Sequence, residues 1–135
     1  MKVTSIRIRG YHCDAYGHVN NARFLELLEE ARWKFLEPAV RERFFETEKL
    51  LFVVVNINIA FKRPLLPHQL IHIHIKDLTY NNRSVSMIQE IIDDRSSVVC
   101  SSAEIQFVLL DSITQKPVPI SDEIKAKFEQ LLSDD

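Results

Sequence analysis

Residues 13–32 read CDAYGHVNNARFLELLEEAR, and the hydrophobic period changes inside them. Upstream, Val3, Ile6 and Ile8 stand among Ser5, Arg7 and Arg9, so residues 3–9 read as a short strand with one register break. From Asn21 the spacing turns helical: Phe24, Leu27, Leu28, Ala31 and Phe35 form one apolar stripe. Glu26, Glu29, Glu30 and Lys34 fall mostly on the other faces. Asn20 or Asn21 suits the cap, because its side chain can accept an amide hydrogen bond that the first turn cannot satisfy. Pro38 is tolerated best at the start of a helix, so the long helix is predicted to end near Leu36 and a shorter one to cover residues 39–49.

Downstream the period is two. Val53, Val55, Ile57, Ile59 and Phe61 alternate with Val54, Asn56, Asn58, Ala60 and Lys62. Ile71, Ile73 and Ile75 alternate with His72, His74 and Lys76, and Asn81-Asn82 marks a turn. Residues 85–92 and 98–110 are two further strands, the second with Ala103, Ile105, Phe107 and Leu109 on one face. Residues 120–132 close the chain as an amphipathic helix. One strand, one long helix and four successive strands predict an α+β domain in which an antiparallel sheet of five strands curls around the helix.

A chain of 135 residues is one domain, residues 1–135, able to bury ~two-thirds of its unfolded surface. Its net charge of −2 argues against a general nucleic-acid binder. Two isolated cysteines, Cys13 and Cys100, make neither a disulfide framework nor a metal pattern. The N-terminal residues carry no secretory signal, and the longest apolar run, residues 50–55, is too short to span a bilayer. The expected location is the cytoplasm, without membrane association.

The turn before the helix holds the chemistry. A helix N-terminus exposes unpaired amides and a partial positive charge, which can hold an anion or polarise a carbonyl. Asp14, just upstream, can attack such a carbonyl or activate water against it. Gly17 fits either a positive φ or a close backbone approach to a ligand. These residues point to acyl transfer that needs no serine, cysteine or metal, although an Asp in a turn beside an Asn cap also has a purely structural reading.

Asp14-x-x-Gly17-His18-Val19-Asn20-Asn21, with Phe24-Leu25 and Leu28-Glu29-x-Ala31-Arg32, resembles the acyl-CoA thioesterases of the 4-hydroxybenzoyl-CoA thioesterase family. YHCDAYGHVNNARFLELLEEARW and FVVVNINIAFKRP are most similar to its bacterial long-chain acyl-CoA thioesterase III subgroup. The resemblance runs over nearly the whole chain and implies the hotdog fold. It also implies hydrolysis of medium- or long-chain acyl-CoA without a cofactor, in a homodimer or homotetramer whose paired sheets build the sites. By the same resemblance Asp14 is the catalytic carboxylate, and the Asn21 N–H polarises the thioester carbonyl. Gly17 and His18 shape the turn, and Glu29 supports the site from the helix. Many members carry a second Asp two positions before the catalytic one, where this chain has His12.

Lys62, Arg63, Arg83 and Ser84 are candidate contacts to the phosphates of coenzyme A, since the planar guanidinium suits phosphate. Phe24, Leu28, Phe52 and Phe61 are candidate walls for the acyl group, or plain core. Cys13 reads as packing. His72 and His74 share a strand face, but no third metal ligand is evident. Two other functions fit the fold: a hydratase or dehydratase acting on acyl thioesters, and a non-catalytic acyl-CoA-binding module. The first needs a His-centred motif that this sequence lacks; the second would not need Asp14.

Overall fold

The computed structural model describes residues 1–133. Its elements are β1 (Lys2–Arg7), α1 (Asn21–Arg41), α2 (Phe44–Thr47), β2 (Leu50–Phe61), β3 (Leu70–Tyr80), β4 (Val85–Asp93), β5 (Val99–Asp111) and α3 (Asp122–Ser133). The five strands form one antiparallel sheet in the order β1-β3-β4-β5-β2. This is the predicted hotdog architecture.

The stripe on α1 does what its spacing requires. Phe24, Leu27, Leu28, Ala31, Phe35 and Leu36 are buried against the inner face of the sheet. That face is built from the alternating sets Ile71, Ile73, Ile75 on β3 and Ala103, Ile105, Phe107, Leu109 on β5, all of them buried. The helix packs most closely on β3 and β1. From the other side α3 inserts Phe128, whose ring lies 5.4 Å from Phe107 and 6.2 Å from Phe35.

Three expectations are corrected. First, α1 runs through Pro38 to Arg41 instead of ending near Leu36. Proline removes one backbone donor, but buried Leu36 and Ala39 hold the last turn on the core, and the Glu42 N–H bonds to the Pro38 carbonyl at 3.0 Å. Second, the helix predicted over residues 39–49 shrinks to the single turn α2. Arg43 enters the left-handed region at φ 59°, which breaks the helix. Third, β2 carries a bulge between Val54 and Asn56. An extra residue inverts the alternation, so Phe52 and Val54 share the inner face with Ile57 and Ile59, while Val55 is exposed.

β1 and β2 are the sheet edges. β2 is twelve residues long and rich in Val and Ile, so its free edge is a ready partner for another strand.

Candidate active site

The turn between β1 and α1 is tied together by its own backbone. The Asp14 N–H donates to the His18 carbonyl, and the Gly17 N–H donates to the Asp14 carbonyl, both at 3.0 Å. Gly17 takes φ +75°, and a Cβ there would meet nothing within 4 Å. Of the two uses that glycine could serve, the backbone angle is the one observed. The turn is anchored to the core through Val19, whose N–H bonds to the carbonyl of buried Leu65.

Within this frame the Asp14 carboxylate is half committed. Its Oδ1 accepts from the Tyr16 N–H at 2.9 Å, an Asx turn that fixes the side chain. Its Oδ2 takes no partner among the described residues. His12 does not support Asp14: its Nδ1 accepts from the Arg9 N–H at 2.8 Å. Burial lowers the His12 pKa, and the nearby Arg23 and Arg9 cations push it the same way.

Asn20 is the helix cap. Its Oδ1 accepts from the Ala22 N–H at 2.8 Å, and its carbonyl accepts from the Arg23 and Phe24 N–H groups. The Asn21 N–H, first in the helix, has no acceptor among the described residues. Asp14, His18 and Asn21 line one groove of 380 Å³. Phe24 and Phe61 form its apolar wall, edge to face at 5.2 Å. Arg63 and the exposed ring of Tyr16 stand at its border. A carboxylate oxygen, a free helix-end amide and an apolar wall are thus gathered in one place. That set can bind a carbonyl compound, draw its oxygen toward the helix end, and present an oxygen base to its carbon.

Other predicted residues lie elsewhere in the chain. Lys62 neighbours the groove without lining it. Arg83 donates to the Pro117 carbonyl at 3.1 Å, and the Ser84 hydroxyl is near Asn81 and Gln106. Their hairpin adjoins Val85, which pairs with Phe107 and through it with Val54. Phe61, at the groove, is seven residues further along β2, about 23 Å of strand. Glu29 accepts from Trp33 Nε1 at 3.1 Å and lines a second cavity, of 340 Å³, together with Phe52. His72 is engaged on both ring nitrogens, with Ser5 Oγ and Asp94 Oδ1, each at 2.7 Å. No group of three or more side chains placed to hold a metal ion is found among the described residues.

One polar network was missed by the sequence reading. Arg32, only 7% exposed, donates from Nη1 to Gln89 Oε1 at 2.9 Å. Gln89, fully buried, donates in turn to the Leu28 carbonyl at 3.0 Å. The signal was present: Gln89 occupies an inward position in the alternation Val85, Met87, Gln89, Ile91, and a buried amide needs partners. Burial lowers the Arg32 pKa, and the Glu29 carboxylate partly offsets that.

The sequence pattern of the Thioesterase-like superfamily matches residues 8–128. The chain belongs to this superfamily. Within it, the chain is 41% identical over 129 residues to the long-chain acyl-CoA thioesterase FadM of Escherichia coli (strain K12), spanning 96% of this chain and 98% of that one. It is 26% identical over 131 residues to the acyl-CoA thioesterase YbgC of Haemophilus influenzae, spanning 94% and 95%. The crystal structure of the YbaW probable thioesterase from Escherichia coli superposes with a TM-score of 0.91 at 40% identity, covering 98% of this chain and 100% of that one. The chain is therefore a hotdog thioesterase by family as well as by fold.

Proposed function

We propose that this chain hydrolyses the thioester of medium- or long-chain fatty acyl-CoA, releasing the free acid and coenzyme A. The observation that carries the reading is one groove lined by both Asp14, whose Oδ2 has no partner among the described residues, and Asn21, whose N–H has no acceptor among them. Similarity to FadM and YbgC supports acyl-CoA as the substrate class.

In this mechanism the thioester carbonyl oxygen accepts from the Asn21 N–H, where the helix end favours developing negative charge. Asp14 Oδ2 takes a proton from water as the water oxygen bonds to the carbonyl carbon. The C–S bond breaks, and the proton passes to the departing thiolate. In the covalent variant of the same reaction, Oδ2 bonds to the carbon first and water then cleaves the acyl-aspartyl anhydride. Single turnover in isotope-labelled water tests for it: label enters Asp14 only by the covalent route, when water attacks the aspartyl carbonyl of the anhydride. Arg63 at the groove border contacts the coenzyme A phosphates.

The working unit is a homodimer or a tetramer built on it. The exposed, apolar β2 edge supports this, because pairing with a second copy of β2 would hide it. Antiparallel pairing would also carry the Arg83–Ser84 hairpin of the second copy toward the groove end. Sedimentation at micromolar concentration reads the prediction, and a monomer contradicts it. Among the described residues no helix is long and apolar enough to cross a membrane, and two free cysteines suit a reducing compartment such as the cytoplasm.

The experiment is thiol release over a panel of acyl-CoA chain lengths with benzoyl-type thioesters included. Turnover is expected to be highest on medium or long chains. Binding with no thiol release from any of them would favour the non-catalytic module, and hydration of an enoyl thioester without thiol release would favour the hydratase.

A further inference from the structure

The second cavity lies along the same side of the molecule as the groove. Both have α1 as one wall and β2 as the other. At the groove end the two walls meet through the rings of Phe24 and Phe61, 5.2 Å apart. Arg32 is eleven residues beyond Asn21 on the helix, about 16 Å along its axis. Between the two cavities β2 turns the half-buried Ile57 and Ile59 toward the helix. The stretch of wall between the groove at Asn21 and the cavity at Arg32 is therefore apolar.

The cavity's lining is uneven. Leu36, Phe52, Val53 and Val54 form an apolar wall, beside which stands the exposed ring of Trp33. The charged groups are Arg32 and Glu29. Arg32 is 93% buried by its 7% exposure, and among the described residues it makes one hydrogen bond and no ion pair. A guanidinium has five N–H donors. No buried side-chain nitrogen or oxygen among the described residues lacks a partner. The donors that Gln89 leaves unused must therefore open onto free space, and the cavity that Arg32 lines provides it. A buried cation is costly unless it is hydrogen-bonded, so a ligand that supplies an acceptor here gains what the protein leaves unfilled.

Resting on the acyl-CoA reading above, we propose that this cavity takes the far end of the acyl chain, and that Arg32 selects chains bearing a neutral oxygen there, a hydroxyl above all. The apolar wall requires hydrocarbon up to that point. The Glu29 carboxylate in the same lining repels a second carboxylate. A hydroxyl satisfies both: it accepts from Arg32 and donates to the Glu29 carboxylate. Arg32 is thus a specificity-determining residue, distant from the bond that breaks.

The test compares kcat/KM for a saturated acyl-CoA with its ω-hydroxy and ω-carboxy derivatives, at several chain lengths, in the wild type and in Arg32→Met. The wild type is expected to favour the ω-hydroxy chain by roughly tenfold at the length that reaches the cavity, the size of one net hydrogen bond. Arg32→Met is expected to erase that preference while still hydrolysing the saturated chain, a change of ratio that a merely structural role would not produce. Equal rates for the three wild-type substrates, or a preference for the saturated or ω-carboxy chain, would overturn the proposal. Should Arg32→Met fail to fold, the wild-type profile alone decides, with Glu29→Gln, expected to reduce the hydroxyl preference, as the second variant. No hydrolysis of any thioester would sink the hydrolase reading instead. The cavity is then judged by calorimetry, where the free ω-hydroxy acid is expected to bind more tightly than the saturated acid, and equal affinities would overturn the proposal.

Discussion

At its N-terminus α1 ends in a donor without an acceptor; three turns further on, the same helix leaves almost nothing of its inner face exposed. Around Asn21 the neighbours are an exposed tyrosine, a glycine turn and an open groove. Ala31 and Phe35 are themselves fully buried, and the buried ring of Phe128 from α3 stacks on Phe35. The middle of the helix is where the fold's stability is concentrated, and the end is where bonding is left incomplete. The reactive end can stay open because the rest of the helix is held by burial. Changes in the two regions should therefore separate, with stability following one and turnover the other.

The largest effect on stability is expected in the middle. Phe128→Ala removes a ring packed on Phe107 and Phe35, and should destabilise the domain by about 3–5 kcal/mol. Chemical denaturation measures this, while kcat of the fraction still folded stays close to wild type. A large loss of kcat at full folding would erase the distinction between the two regions. Gly17→Ala comes next. Its positive φ costs an L side chain about 1–2 kcal/mol, with no steric clash to add. Turnover should fall more than stability does, because the turn carries Asp14; equal changes in the two would show that the turn is only a connection. Asn20→Ala is the smallest, about 1 kcal/mol from the lost cap bond to Ala22, read as a shift in the urea midpoint.

Most of the fold was legible because burial imposes a period. The β3 and β5 alternations and the α1 stripe each carry one uninterrupted face, so strand, helix and inward set could all be read directly. Legibility failed where a tertiary contact overrode a local preference. Pro38 reads as a helix start, but Leu36 and Ala39 are buried and carry the helix past it. The Val55 bulge inverts a face that strict alternation would have kept. In the site, the Asp14 turn, the glycine and the capping Asn were visible because each is a local device. The Arg32–Gln89 pair was not, because its residues are 57 positions apart and meet only when β4 lies beneath α1. Arg83 and Ser84 were read as phosphate contacts from residue type alone, and the register that places their hairpin along β2 could not be read from any local pattern.

Single-turnover thiol release by Asp14→Asn decides whether the turn before α1 does the chemistry. The substitution keeps the side chain's shape and its Asx-turn acceptor while removing the base. The variant is expected to unfold like the wild type and to release thiol more slowly, on the order of a hundredfold or more. Release at the wild-type rate would mean that some other group drives the reaction, and the pairing of Asp14 with the Asn21 amide across the thioester would be contradicted.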